Sequence, residues 1–170
     1  MFCHRVLQHT PDPPRVLRHI LQFVKPDGAA FVHSYARNFT QMAHWKYALR
    51  PVTTRLDPEL LYTIIKWYVP PLYRISKAIR AIKPVWLGRS LFKFSERILP
   101  LYNYRFTRQF RGKSNEYILE YAIHNTFDAL SPKFDIPMSA AQMRDIAKSS
   151  LAMPFEVVDL GGYVLLRTCR

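Results

Sequence analysis

Six histidines, His4, His9, His19, His33, His44 and His124, are the natural starting point for chemistry in this 170-residue chain. No two have the His-x-x-x-His spacing that would set a pair of imidazoles on one helical face around a metal. Cys3 and Cys169 stand at opposite ends of the sequence, and Cys3-His4 is a poor ligand pair. Neither cysteine has a recognisable nucleophile context. Proton transfer is the better use for imidazole, which titrates near neutral pH. His124 and Asp128 are four residues apart, so a helix beginning near Glu116 would put both on one face. They would then line a pocket as an acid–base pair, or simply make a hydrogen-bonded helix end. His9 follows Leu7 and Gln8 at the close of an apolar run, and Tyr35 closes another. Arg37, Asn38, His44 and Trp45 come next. Tyr35 and Trp45 suit one wall of a substrate pocket, or anchor the packing of the segment that follows.

The elements that must hold these residues are legible at both ends. An apolar run closing at Val6-Leu7 predicts a first strand. Pro11, Pro13 and Pro14 make the next stretch a loop, with Asp12 as N-cap of a helix whose stripe is Val16, Leu17, Ile20, Leu21 and Val24. Lys25-Pro26-Asp27-Gly28 ends that helix, and residues 29–34 read as a second strand. Strand, crossover helix and strand predict a parallel βαβ unit. Near the other end, Ser139 and Gln142 have capping-box spacing ahead of Met143, Ile146, Ala147 and Leu151. Residues 155–160 and 163–167 read as strands joined by a Gly161-Gly162 turn.

The middle of the chain is helical and cationic. Asp57 caps a helix with Leu60, Leu61, Ile64, Ile65 and Tyr68 inward, ending at Pro70-Pro71. A second is expected over 72–82 with Ile75, Ala78, Ile79 and Ile82 inward, and a third over 86–99 with Leu87, Leu91, Phe94 and Ile98 inward. The formal net charge is +13, and residues 71–113 hold eleven basic groups against one acid, Glu96. Such a field attracts anions. The third helix would suit an anionic membrane surface, and the aromatic–basic run over 102–111 would suit stacked bases and phosphates. Basic side chains that merely solvate a helix face explain the same residues. No RNA-binding signature or repeat supports nucleic acid as a partner.

Val-Leu-Gln-His-Thr-Pro-Asp-Pro, then Val-Lys-Pro-Asp-Gly, then a closing helix and hairpin, resemble the second half of a class I S-adenosylmethionine-dependent methyltransferase of the small-molecule branch. Residues 6–34 look like its fourth strand, following helix and fifth strand. Residues 139–167 look like its last helix and closing antiparallel strands, and residues 125–135 are similar to a segment in members with a helical insertion. The resemblance implies an α/β fold, the C-terminal half of a Rossmann-like methyltransferase: a parallel βαβ plus closing helix and antiparallel hairpin. The partial core would be 1–35 and 115–170, and 36–114 a basic helical insertion serving as a lid. It also implies S-adenosylmethionine as cofactor, held through Leu7, Gln8 and His9. His9 would be the catalytic group, and Tyr35, Trp45, His124 and Asp128 would form the pocket for an unidentified small-molecule substrate.

The family's glycine-rich cofactor turn is missing from this sequence, which has five glycines and no GxGxG. That predicts an incomplete enzyme: a truncated frame, a subunit completed by a chain supplying the N-terminal half, or a remnant with a new role. A remnant would bind an anionic membrane surface or polyanion through the basic helices. The isolated chain is expected to bind no cofactor and to be poorly soluble, with Val6-Leu7 as an open edge strand. The lack of a long apolar stretch and the two distant cysteines predict a cytoplasmic protein.

Overall fold

The strands come from the two ends of the chain and meet in one sheet of order β1-β2-β4-β3. A computed structural model describes residues 1–103 and 107–168; Tyr104, Arg105 and Phe106 of the aromatic–basic run, and Cys169, lie outside the described residues. The fold is mixed α/β, and the chain separates into two compact units, Met1–Met42 with Lys133–Arg170, and Ala43–Pro132.

In the first unit, β1 (Phe2–His4) runs parallel to β2 (Phe31–Tyr35) across the helix α1 (Pro13–Leu21). Asp12 caps α1 by accepting from the Arg15 amide, and two prolines occupy the first turn, where their missing N–H costs nothing. A short α2 (Phe39–Met42) follows, capped by Asn38. Helix α7 (Ala140–Ser150) begins with the capping box of Ser139 and Gln142. β3 (Phe155–Asp159) and β4 (Tyr163–Thr168) form the hairpin, with Gly161 at a left-handed φ of 76° that a side chain would resist. β4 lies antiparallel between β2 and β3. One sheet face carries Val32, Val164 and Leu166 into a core with Leu17 and Leu21 of α1 and Met143 and Ala147 of α7.

The first strand is shorter than its apolar run. It stops at His4 because Arg5 takes a left-handed φ of 55°, which turns the chain out of the sheet. Leu7–His9 then forms a single 3₁₀ turn, and Leu7 is buried in the core where an edge strand was expected.

The second unit is helical: α3 (Trp45–Thr53), α4 (Pro58–Ala81), α5 (Val85–Ile98) and α6 (Asn115–Leu130). Its core includes Trp45, Leu61, Ile65, Val69, Tyr73 and Ile118. Helix α4 passes straight through Pro70-Pro71, where two helices were expected. Proline inside a helix costs about 3 kcal/mol, and burial of Val69 and Tyr73 on either side offsets it. Helix α6 belongs here, not with the terminal segments as the 36–114 boundary had it, because Ile118 and Ala122 pack in the core that contains Leu61 and Ile65. Among the described residues, no helix is long and apolar enough to cross a membrane.

Helix α5 inverts its expected orientation. Gly88, Phe92 and Ser95 are buried, while Leu91, Phe94 and Ile98 of the expected inner stripe are exposed. A Cβ at position 88 would stand 2.5 Å from the Ile82 carbonyl oxygen, so the backbones approach closely only because glycine is there. The later part of α4 behaves alike: Ile75, Ala78 and Ile82 are exposed, and Tyr73 and Ser76 are buried.

Candidate functional site

Ligands of open α/β sheets gather beyond the carboxyl ends of parallel strands. In the first unit that edge is built by the turn Leu7–His9, the end of β2 and the segment 134–138. Gln8 is fully buried; its Nε2 donates to the Arg5 carbonyl at 2.7 Å and its Oε1 accepts from the Ser34 hydroxyl at 3.3 Å. The Gln8 carbonyl accepts from the Ile136 amide at 2.8 Å, the Tyr35 carbonyl from Met138 at 3.2 Å, and Arg37 donates to the Met138 carbonyl at 3.0 Å. Residues 134–138 are thereby laced along the edge, with Ala36 and Met138 in a parallel bridge.

His9 is half-buried at this edge. Its Nδ1 lies 3.1 Å from the Phe134 carbonyl oxygen. A carbonyl only accepts, so in the neutral ring Nδ1 carries the hydrogen and Nε2 keeps a lone pair. That is the arrangement of a general base whose orientation is set by backbone. The His9 ring meets Tyr35 edge-on at 6.4 Å, and Tyr35 in turn faces Tyr163 at 5.7 Å.

The sheet face opposite the helices continues from these rings. His33 stacks on Tyr163 at 4.8 Å and on His4 at 4.7 Å, and the Arg5 guanidinium sits 4.8 Å over Tyr163. Burial, and then the positive potential of His4 and Arg5, holds the His33 imidazole below its ordinary pKa. Its buried Nδ1 has no hydrogen-bond partner. The face is therefore aromatic, with the Arg5 guanidinium lying over it.

The expected site residues divide between the two units. Leu7, Gln8, His9 and Tyr35 come together at the edge just described. Leu7 is a core side chain whose carbonyl accepts from Thr10, and Gln8 is a strut between Arg5 and Ser34. Of the three residues expected at the cofactor, Gln8 has both side-chain polar atoms bonded within the chain and His9 is held through Nδ1. Trp45 belongs to the helical unit, where it is buried against His44 and Tyr102 and serves as a packing anchor. His124 and Asp128 are exposed on α6 and no hydrogen bond joins them; His124 lies against Tyr62 at 5.7 Å. The expected acid–base pair is therefore not formed.

Comparison with family models, curated proteins and solved structures finds no match.

Sequence reasoning passed over Ser34, Tyr163 and the Phe134 carbonyl. Tyr163 was visible as the first residue after the glycine turn. The bond from His9 to Phe134 spans 125 positions, and no local pattern announces it. A cavity of about 180 Å³ at the opposite edge, lined by Leu21, Val24, Leu151 and Met153, is mainly apolar and is not near these groups. Among the described residues no three His, Cys, Asp or Glu side chains are placed to hold a metal.

Proposed function

We propose that the unit formed by Met1–Met42 and Lys133–Arg170 is the C-terminal half of a Rossmann-like methyltransferase domain, acting on a small molecule with His9 as proton acceptor. The observation that carries this reading is the strand order: a parallel β1-α1-β2 unit, with the last strand entering antiparallel between β2 and β3. The resemblance implies a parallel βαβ and a closing antiparallel pair, and these strands are of that kind, with Phe2–His4 in the place expected of Val6-Leu7. His9 and Tyr35 at the carboxyl edge of those strands add chemistry to the topology.

S-adenosylmethionine supplies a methyl group on a sulfonium, and the fit of these residues to it is partial. The polar groups of Gln8 are already bonded within the chain, and no glycine-rich turn occurs in the sequence. Residues outside these 170 would have to hold most of the cofactor. The contribution of this chain is then a proton at a stated atom: Nε2 of His9 takes it from an acceptor hydroxyl, while the Phe134 carbonyl steadies the imidazolium through Nδ1–H.

The DNA immediately upstream of Met1, translated in every frame, should encode a strand followed by a glycine-rich turn, in frame or as an adjacent chain. Supplied with that segment, the protein should transfer labelled methyl groups, and His9→Ala should slow turnover by about 10²–10⁴ while leaving cofactor affinity largely intact. Failure to find such a segment, or saturable micromolar cofactor binding by the 170 residues alone, would overturn the proposal.

A further inference from the structure

We propose that α5 is a membrane-docking helix that lies in the headgroup layer of an anionic bilayer, with Leu91, Phe94 and Ile98 toward the acyl chains and Arg89 and Lys93 among the phosphates. This inference is independent of the methyltransferase reading, because it uses only the helical unit. Its starting point is the inverted orientation of α5. An amphipathic helix of a water-soluble unit turns its apolar stripe inward. Here the buried positions are Gly88, Phe92 and Ser95, while other large apolar residues stay in solvent: Phe94 is 64% exposed, Ile98 56% and Trp86 68%.

Helix geometry orders these side chains. Positions 91, 94 and 98 are spaced by three and four, so they make one stripe, and Arg89 and Lys93 are four apart along another. At about 100° per residue the two stripes lie roughly 150° apart and flank the buried Gly88, Phe92 and Ser95, so the helix has an apolar side and a charged side, which is the pattern of an interfacial helix. Trp86 adds an amphipathic indole of the kind that settles at headgroup level. Exposed Arg74, Lys77 and Lys83 lie on and just after the preceding helix. Charge complementarity selects the occupant. Residues 71–113 carry eleven basic groups and one acid, so a neutral surface would leave that field unanswered. A purely polyanionic partner would leave Leu91, Phe94 and Ile98 in water.

The full chain should co-sediment with phosphatidylserine–phosphatidylcholine vesicles and not with phosphatidylcholine alone. Arg89→Gln with Lys93→Gln should weaken partitioning by roughly 20- to 30-fold, about fivefold per basic residue. Leu91→Ser with Phe94→Ser, at unchanged charge, should weaken it by at least about tenfold. All four positions are exposed, and unchanged thermal melts would show that both variants fold. Three results would each overturn the proposal. The first is no binding, or equal binding to neutral vesicles. The second is vesicle binding that heparin abolishes and the serine variant retains, which would mean a polyanion site. The third is a dimer lost in the serine variant without any vesicle binding, which would mean that a second copy covers the face.

Discussion

The His44 imidazole holds the N-terminus of α3, where its Nδ1 accepts from the Lys46 amide at 3.4 Å, and only the neutral ring can do so. Burial, together with the charges of Lys46 and Arg97, pushes its pKa down from 6.5 to about 4. Unfolding restores the ordinary value, so below pH 6.5 the unfolded chain takes up a proton that the folded chain refuses. The stabilising effect is therefore full above pH 6.5 and is lost as pH falls from 6.5 toward about 4. Thermal melts across that window should show His44→Asn, which can cap but does not titrate, with a flatter fall in Tm than the parent. Parallel profiles would mean that His44 is not the titrating group. Arg50, a buried cation of the same helix, donates through its guanidinium to the carbonyls of Ala129 at 3.0 Å and Pro132 at 2.6 Å, and so closes the C-terminal end of α6.

At the scale of elements, Gly88 gives a prediction whose sign is informative. Helix propensity alone favours alanine over glycine by about 1 kcal/mol. The backbone of α4 stands where the new methyl would go, so Gly88→Ala should instead destabilise by about 1–3 kcal/mol in a urea titration. A stabilised variant would show that α4 and α5 are not so closely apposed. The same pair of helices marks the limit of what periodicity can tell. Spacing located α5 to within a residue at each end, and it located α1, α7 and the closing hairpin, because caps and turns are local chemistry. It chose the wrong inner face for α5, since apolar spacing assumes that the largest residues face the core. It also divided α4 at Pro70-Pro71, because burial of Val69 and Tyr73 has no local signature. The site was legible in part: Tyr35 follows from a strand end, whereas His9 lies in a 3₁₀ turn beyond a strand that stops at His4, and the carbonyl that orients it comes from a distant segment.

Across the whole molecule, the two units have separate cores, one including Leu17 and Met143 and the other Ile65 and Ile118. Leu17 is fully buried, and Leu17→Ala should cost about 2–5 kcal/mol. Amide hydrogen exchange should then speed up through 1–42 and 133–168 and change much less over 43–132. Uniform acceleration along the chain would mean that the units open as one block. The placement of β4 has a consequence for how the chain is made. β2 ends at Tyr35, but the strand that completes its second edge begins at Tyr163. During translation the whole helical unit emerges while β2 waits with that edge unsatisfied, a state open to proteases and to pairing with other nascent chains. A late stop codon that removed Tyr163–Thr168 would take out the middle of the sheet and not its margin. β3 would be cut off from β1 and β2.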